Sequence, residues 1–367
     1  MLLKNGTLFW EGRFVLCDIR IENGTVAEIG EDLSGGDVTD LKGDFLLPGL
    51  VDVHTHGCGG YDFDHADEAQ LTEMCRMYAS HGDTAVLATL MTNPRELLLE
   101  AAARLGRTPL SVIRGIHLEG PFFGPSKKGA HRADLLSPVD LDFFRALDDA
   151  SGGFIRLVAV DPCLEGAMAF IREVSRTKKV ALGHTPADYE TALAGFAAGA
   201  TQVTHLFNAM NGLQHREPGL IGAALAGDCY AEVICDGVHI HPAVLKSAFA
   251  ALGGRGMVIS DSMAACGLSD GVYSLGGQEV TVRGRRATLS DGTLAGSATF
   301  AYDGMVELIR AGVPAEQAVS AATAIPAKAV GLDGVCGSIA AGRSADLVRA
   351  DKNWTLRQVW LGGVPIL

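Results

Sequence analysis

Through the middle of the chain, short apolar runs alternate with longer stretches of helical character. The runs at 50–53, 84–89, 113–118, 155–160, 180–183, 201–204, 232–235 and 258–260 read as strands. Segments such as 66–80, 188–198 and 243–251 read as the helices between them. Parallel neighbours need a crossover of helix size, so eight strand–helix alternations predict a parallel (β/α)8 TIM-like barrel. The rhythm breaks near 268–296, where the alternation in 278–283 and several glycines predict a β-hairpin inserted before an eighth helix at 299–311.

Both ends of the chain follow a different pattern. Up to about Asp44, short strands are broken by Asn5-Gly6 and Asn23-Gly24 turns. Near the other end, Gly337-Ser338-Ile339, Ala345-Asp346-Leu347-Val348 and Gln358-Val359-Trp360-Leu361 look like strands separated by glycine turns. The expected plan is a small β domain, a sheet or sandwich built from 1–45 and 335–367, around a barrel at 46–334.

A length of 367 residues suits one barrel with a modest appendage, and 48% hydrophobic against 20% charged residues suits a large core. The formal charge of −13, with dispersed lysines and arginines, argues against nucleic acid and against anionic membranes as partners. A few local donors can still hold an anionic substrate. The eight cysteines are scattered without a CxxC pair, and the start lacks a secretory apolar core. No apolar run approaches the roughly 20 residues of a membrane span. The expectation is a cytoplasmic protein with reduced thiols.

Strand ends on one face of a barrel converge, however distant in sequence. His54 and His56 close the first strand candidate and share a face. Glu119 closes the third, while His184, His205 and Asp261 follow the fifth, sixth and eighth. Singly, each histidine reads as structural more often than as a ligand. Together, imidazoles and a carboxylate at one barrel mouth form a site for divalent metal. His117 shares the face of Glu119 and reads as a supporting residue. Lys127 and Lys128 read as exposed, at the entrance. His241 reads as a helix start before Pro242, while His65, His81, His215 and the cysteines read as structural or surface residues.

This pattern resembles the amidohydrolase superfamily. Within it, His117-Leu118-Glu119-Gly120-Pro121-Phe122, Gly183-His184-Thr185, Thr204-His205-Leu206-Phe207-Asn208-Ala209-Met210 and Arg216-Glu217-Pro218-Gly219 are similar to the N-acetylglucosamine-6-phosphate deacetylases. Lys127-Lys128-Gly129-Ala130-His131 and Asp236-Gly237-Val238-His239 match in order as well. The resemblance implies Glu119, His184 and His205 as ligands of a principal metal and His54 with His56 as a second position bridged by the glutamate. One or two ions per chain follow, with zinc, iron(II), manganese and cobalt all open.

It further implies Asp261 as the catalytic acid–base and a phosphosugar as substrate, contacted by His131, Asn208, Ala209, Arg216 and His239. Arg216 would reach the neighbouring site of a homodimer. On spacing alone, Arg216 reads as a solvated loop residue and His239 as a core histidine. The implied reaction is hydrolysis of the acetamido group of N-acetylglucosamine 6-phosphate. The alternative substrates are the galactosamine epimer and an N-acyl-D-amino acid.

Overall fold

The computed structural model describes residues 1–366. Its centre is an eight-stranded parallel sheet made of Leu50–Thr55, Asp83–Leu90, Ile113–Glu119, Ile155–Val160, Lys179–Leu182, Gln202–Val203, Tyr230–Ile234 and Gly256–Ile259, paired in chain order. The seam between last and first strands is stitched by backbone bonds: Asp261 N–H donates to the His54 carbonyl at 2.9 Å, and His56 N–H to that of Ser262 at 2.8 Å. The sheet is thereby a closed barrel. Its strands are buried nearly throughout, as expected where helices cover one face and side chains fill the other. The sixth strand is shorter than the 201–204 expected from its pattern, because the chain turns away at His205.

The helices begin where the sequence offers caps. Asp67 and Gln70 form a reciprocal capping box, each side chain accepting the other's backbone N–H at 2.9 Å, so the first helix runs Glu68–Ser80. Asp188 caps Tyr189–Ala198, and His241 caps Pro242–Leu252 through a bond accepted from Ala243 N–H. Among the described residues, no helix is long and apolar enough to cross a membrane.

The second sheet joins the two termini. Leu2–Trp10, Arg13–Glu22 and Thr25–Gly30 lie on one side, and Leu347–Ala350, Leu356–Leu361 and Val364–Pro365 on the other. Phe45–Pro48 sits between them, parallel to Leu2–Trp10 and antiparallel to Leu347–Ala350. The Arg349–Asp44 ion pair at 2.7 Å and Phe45 stacked on Trp354 at 4.5 Å fasten this join. Residues 337–339 form no strand, contrary to expectation; Ile339 instead drops into the apolar core beside the sheet. Gly49 carries the chain from this sheet into the barrel, where a Cβ would lie 2.0 Å from the Thr84 hydroxyl.

The insertion is a three-stranded antiparallel meander, Gly271–Leu275, Gln278–Arg283 and Arg286–Thr288, one strand more than a hairpin. Leu275, Val280, Val282 and Ala287 form an apolar cluster with Met91, Ala130 and Met263, which seats the meander at the barrel mouth.

Candidate active site

Three of the candidate site residues share one local device. His184, His205 and Asp261 each stand two residues beyond a strand end, and each adopts positive φ (49°, 27° and 49°). Left-handed backbone costs a non-glycine residue about 1–3 kcal/mol and persists only where its surroundings enforce it. Here it ends the strand and turns the side chain over the barrel mouth. His54 and Glu119 lie within their strands, and His56 one residue beyond.

These side chains meet around Glu119. Its Oε1 lies 3.0 Å from His184 Nε2 and 3.1 Å from His205 Nε2, and those two nitrogens are 2.9 Å apart. Its Oε2 faces His56 Nε2 at 3.2 Å and His131 Nε2 at 3.4 Å. Asp261 Oδ1 stands 3.3 Å from His56 Nε2 and 3.6 Å from His54 Nε2. His54 Nε2 also lies 3.4 Å from Glu119 Oε1. The sequence-predicted ligands and the aspartate therefore share one place.

The protonation pattern is suited to a cation. His184 Nδ1 lies 3.0 Å from the Lys127 carbonyl, which can only accept, so Nδ1 carries the proton. Burial, then the nearby His131, push the His184 pKa down to about 4, leaving a neutral ring. Its Nε2 lone pair consequently points at a carboxylate oxygen and at a second imidazole nitrogen. Such an arrangement is repulsive without positive charge between the donors, and the N/O set fits a divalent metal. At His54, burial works to lower the pKa, yet Glu119 and then Glu232 raise it well above the usual imidazole range. A proton or a metal ion satisfies the same demand there. Three buried groups lie close enough to share an ion: His54 with His56 and Asp261, Glu119 with His131 and His184, and His54 with His117 and Glu232.

Around this centre opens a cavity of about 370 Å³, within the range of small-molecule sites. His56, Glu119, His131, His184, His205, Asn208, Ala209, His239 and Asp261 all line it. His54 is buried behind this wall, and Arg216 is exposed and outside it. His131 is braced by Thr92, with Nδ1 and Oγ1 2.7 Å apart. His239 Nδ1 lies 2.7 Å from Asp236 Oδ2, and Asp236 Oδ1 accepts the Val238 and His239 N–H groups. Burial lowers the His239 pKa, but the bond to Asp236 outweighs it and the net direction is upward. At Asn208 the picture is narrower than a paired N–H cradle: its backbone N–H is spent on the His205 carbonyl at 2.9 Å, and its side-chain amide turns back to the same oxygen at 3.3 Å.

Several contributors lie outside the ligands, base and substrate contacts assigned from sequence. Lys127 and Lys128 are half-buried rather than exposed; Lys127 lines the cavity, and its carbonyl orients His184. Met91, Leu275, Thr293 and Leu294 complete the wall from the second strand's end and the insertion. Thr92, Asp236 and Glu232 brace the histidines. Glu232 had a legible signal, a charged residue inside an apolar parallel strand that is buried on both faces. His117 is wholly buried, edge-on to His54 at 4.5 Å, in keeping with a supporting place.

A closed parallel barrel with imidazoles and carboxylates converging at the C-terminal ends of its strands defines the class of barrel hydrolases built for divalent metal. The chain belongs to the amidohydrolase family, whose sequence profile matches residues 45–364. It is 40% identical over 317 residues to N-acetylglucosamine-6-phosphate deacetylase of Bacillus subtilis (strain 168), covering 83% of this chain and 80% of that protein. It is also 35% identical to N-acetylgalactosamine-6-phosphate deacetylase of Escherichia coli O157:H7, over 94% of this chain and 93% of that protein. Among solved structures, it superposes with a TM-score of 0.95 and 32% identity on a mutant N-acetyl-D-glucosamine-6-phosphate deacetylase from Mycobacterium smegmatis in complex with N-acetyl-D-glucosamine-6-phosphate, covering 100% of this chain and 99% of that one.

Proposed function

We propose that this protein hydrolyses the acetamido group of N-acetylglucosamine 6-phosphate, releasing acetate and glucosamine 6-phosphate. The observation that carries this reading is the convergence of Glu119, His184 and His205 opposite Asp261 in one cavity. The names of the relatives supply the substrate. Glu119, His184 and His205 would hold the principal divalent ion, and His54 with His56 a second one, Glu119 serving both. Zinc, iron(II), manganese and cobalt all suit these donors. When bound, such an ion polarises the amide carbonyl and acidifies an attacking water.

The chain's own residues do the rest. Burial raises the Asp261 pKa, but the hydrogen bond with His56 and the charge of His54 outweigh it and hold the carboxyl below its usual range. An ionised Asp261 can take a proton from the attacking water as the new C–O bond forms. It then delivers that proton to the nitrogen as the C–N bond breaks, so the amine leaves neutral. His239, its Nδ1 proton committed to Asp236 and its pKa raised by that bond, can hold a second proton on Nε2 and donate it in a hydrogen bond to the carbonyl oxygen. The Ala209 loop and Lys127, which line the cavity, would supply donors to a phosphate. Arg216, outside its own cavity, would serve the site of a second copy in a homodimer.

Acetate release from the 6-phosphates of both epimers and from the unphosphorylated sugar tests this reading, after chelation and with single metals restored. Metal-restored turnover of N-acetylglucosamine 6-phosphate is expected. Equal kcat/KM with and without the phosphate would remove the phosphate assignment, and no acetate with any metal would overturn the reaction. Faster turnover of the galactosamine epimer would favour the function named for the Escherichia coli relative.

A further inference from the structure

We infer that Glu232 is the positioning residue for His54, fixing which ring nitrogen faces Glu119 and Asp261 and thereby the affinity of the ion that His54 would bind. The inference rests on the reading that His54 is a ligand.

Glu232 stands mid-strand in Tyr230–Ile234, wholly buried in the barrel. An acidic side chain in that position is costly without compensation. Among the described residues, its one ion-pair partner is His54, whose Nδ1 lies 2.9 Å from Glu232 Oε2. The same oxygen accepts the His205 backbone N–H at 3.3 Å. One acidic side chain thus touches the first strand and the turn after the sixth, at the two points where candidate ligands are presented.

A carboxylate can only accept, so it selects the ring form with the proton on Nδ1. Nε2 is then the free nitrogen, and it is the one facing Glu119 and Asp261. His54 Nε2 has no hydrogen-bond partner of its own, although it is buried. His117 packs edge-on against the ring, with both of its own nitrogens unpartnered, so Glu232 is the group that sets the ring's proton. An outer carboxylate of this kind also makes the ligand nitrogen more basic, and losing it typically weakens metal binding about 10- to 100-fold.

Cobalt(II) titration of chelator-stripped protein, followed by visible absorption and by bound metal per chain, tests the assignment in wild type, Glu232→Met, Glu232→Gln, His54→Asn and the double variant His54→Asn/Glu232→Met. Glu232→Met is expected to weaken the equivalent that His54→Asn also weakens, by about 10- to 100-fold. Glu232→Gln, which keeps an acceptor oxygen, should recover part of the loss. In the His54→Asn background, Glu232→Met should change nothing further. If His54→Asn weakens an equivalent while Glu232→Met binds like wild type, the positioning role is wrong. An undiminished Glu232→Met effect in the His54→Asn background overturns it too, by exposing a general structural role. If His54→Asn binds cobalt like wild type, the ligand reading of His54 fails and takes this inference with it.

Discussion

At the scale of single residues, the site depends on a few groups whose neighbours leave them one useful state. Asp261 is anionic, faces His56, and stands in the cavity where a water could approach. If Asp261 is the base, as proposed, Asp261→Asn removes it while keeping the shape. Its kcat should fall about 10²- to 10⁴-fold, the usual contribution of general acid–base catalysis. Bound metal at the Glu119 group should persist, and elemental analysis alongside steady-state assay checks both halves. Gly120 follows Glu119 with φ of 92°, and a Cβ there would meet the Thr92 hydroxyl at 2.2 Å. Gly120→Ala must both strain the backbone and push Thr92 away from His131. A loss of more than about 1 kcal/mol is expected from a side chain placed where native φ forbids it. A lower denaturant midpoint together with reduced turnover would show it; unchanged values of both would refute the steric account.

At the scale of elements, the barrel strands supply position and the residues just past them supply direction. The same step recurs after the fifth, sixth and eighth strands: one intervening residue, then a left-handed residue bearing the functional group. The helices outside are stabilised separately, by caps remote from the chemistry. Asp67→Ala deletes one half of the capping box that starts Glu68–Ser80. It should cost about 1 kcal/mol of stability, read from urea unfolding, with kcat/KM unaltered. A change in kcat/KM would mean that this helix reaches the site in a way its geometry does not suggest. The meander is the element closest to function among the additions, since it contributes Leu275 to the cavity wall.

At the scale of the whole molecule, the two termini close one sheet beside the barrel, and Arg216 is exposed outside its own cavity. If Arg216 serves a neighbouring site, Arg216→Ala and Asp261→Asn chains should each be nearly inactive on the phosphorylated sugar. Mixed and allowed to exchange, they should recover roughly a quarter of wild-type activity, the share expected when half of randomly paired chains form mixed dimers with one intact site of two. No recovery despite proven exchange would place Arg216 in its own site or in none.

The primary structure on its own determined the order of barrel elements and the residue types at their ends. Buried parallel strands leave an apolar run that pattern can detect, and His54, His56, Glu119, His184, His205 and Asp261 sit where those runs stop. It also showed the terminal strands, apart from the false one at 337–339 and the unrecognised Phe45–Pro48 and Val364–Pro365. What it could not determine was which nitrogen each imidazole presents, because that depends on acceptors far away in sequence: the Lys127 carbonyl for His184 and Glu232 for His54. Nor could it reveal that the Asn208 backbone N–H is already spent on the His205 carbonyl. Local pattern records burial and period, which act between neighbours along the chain. Proton placement and charge balance are set across the barrel, between atoms that only closure of the fold brings within about 3 Å.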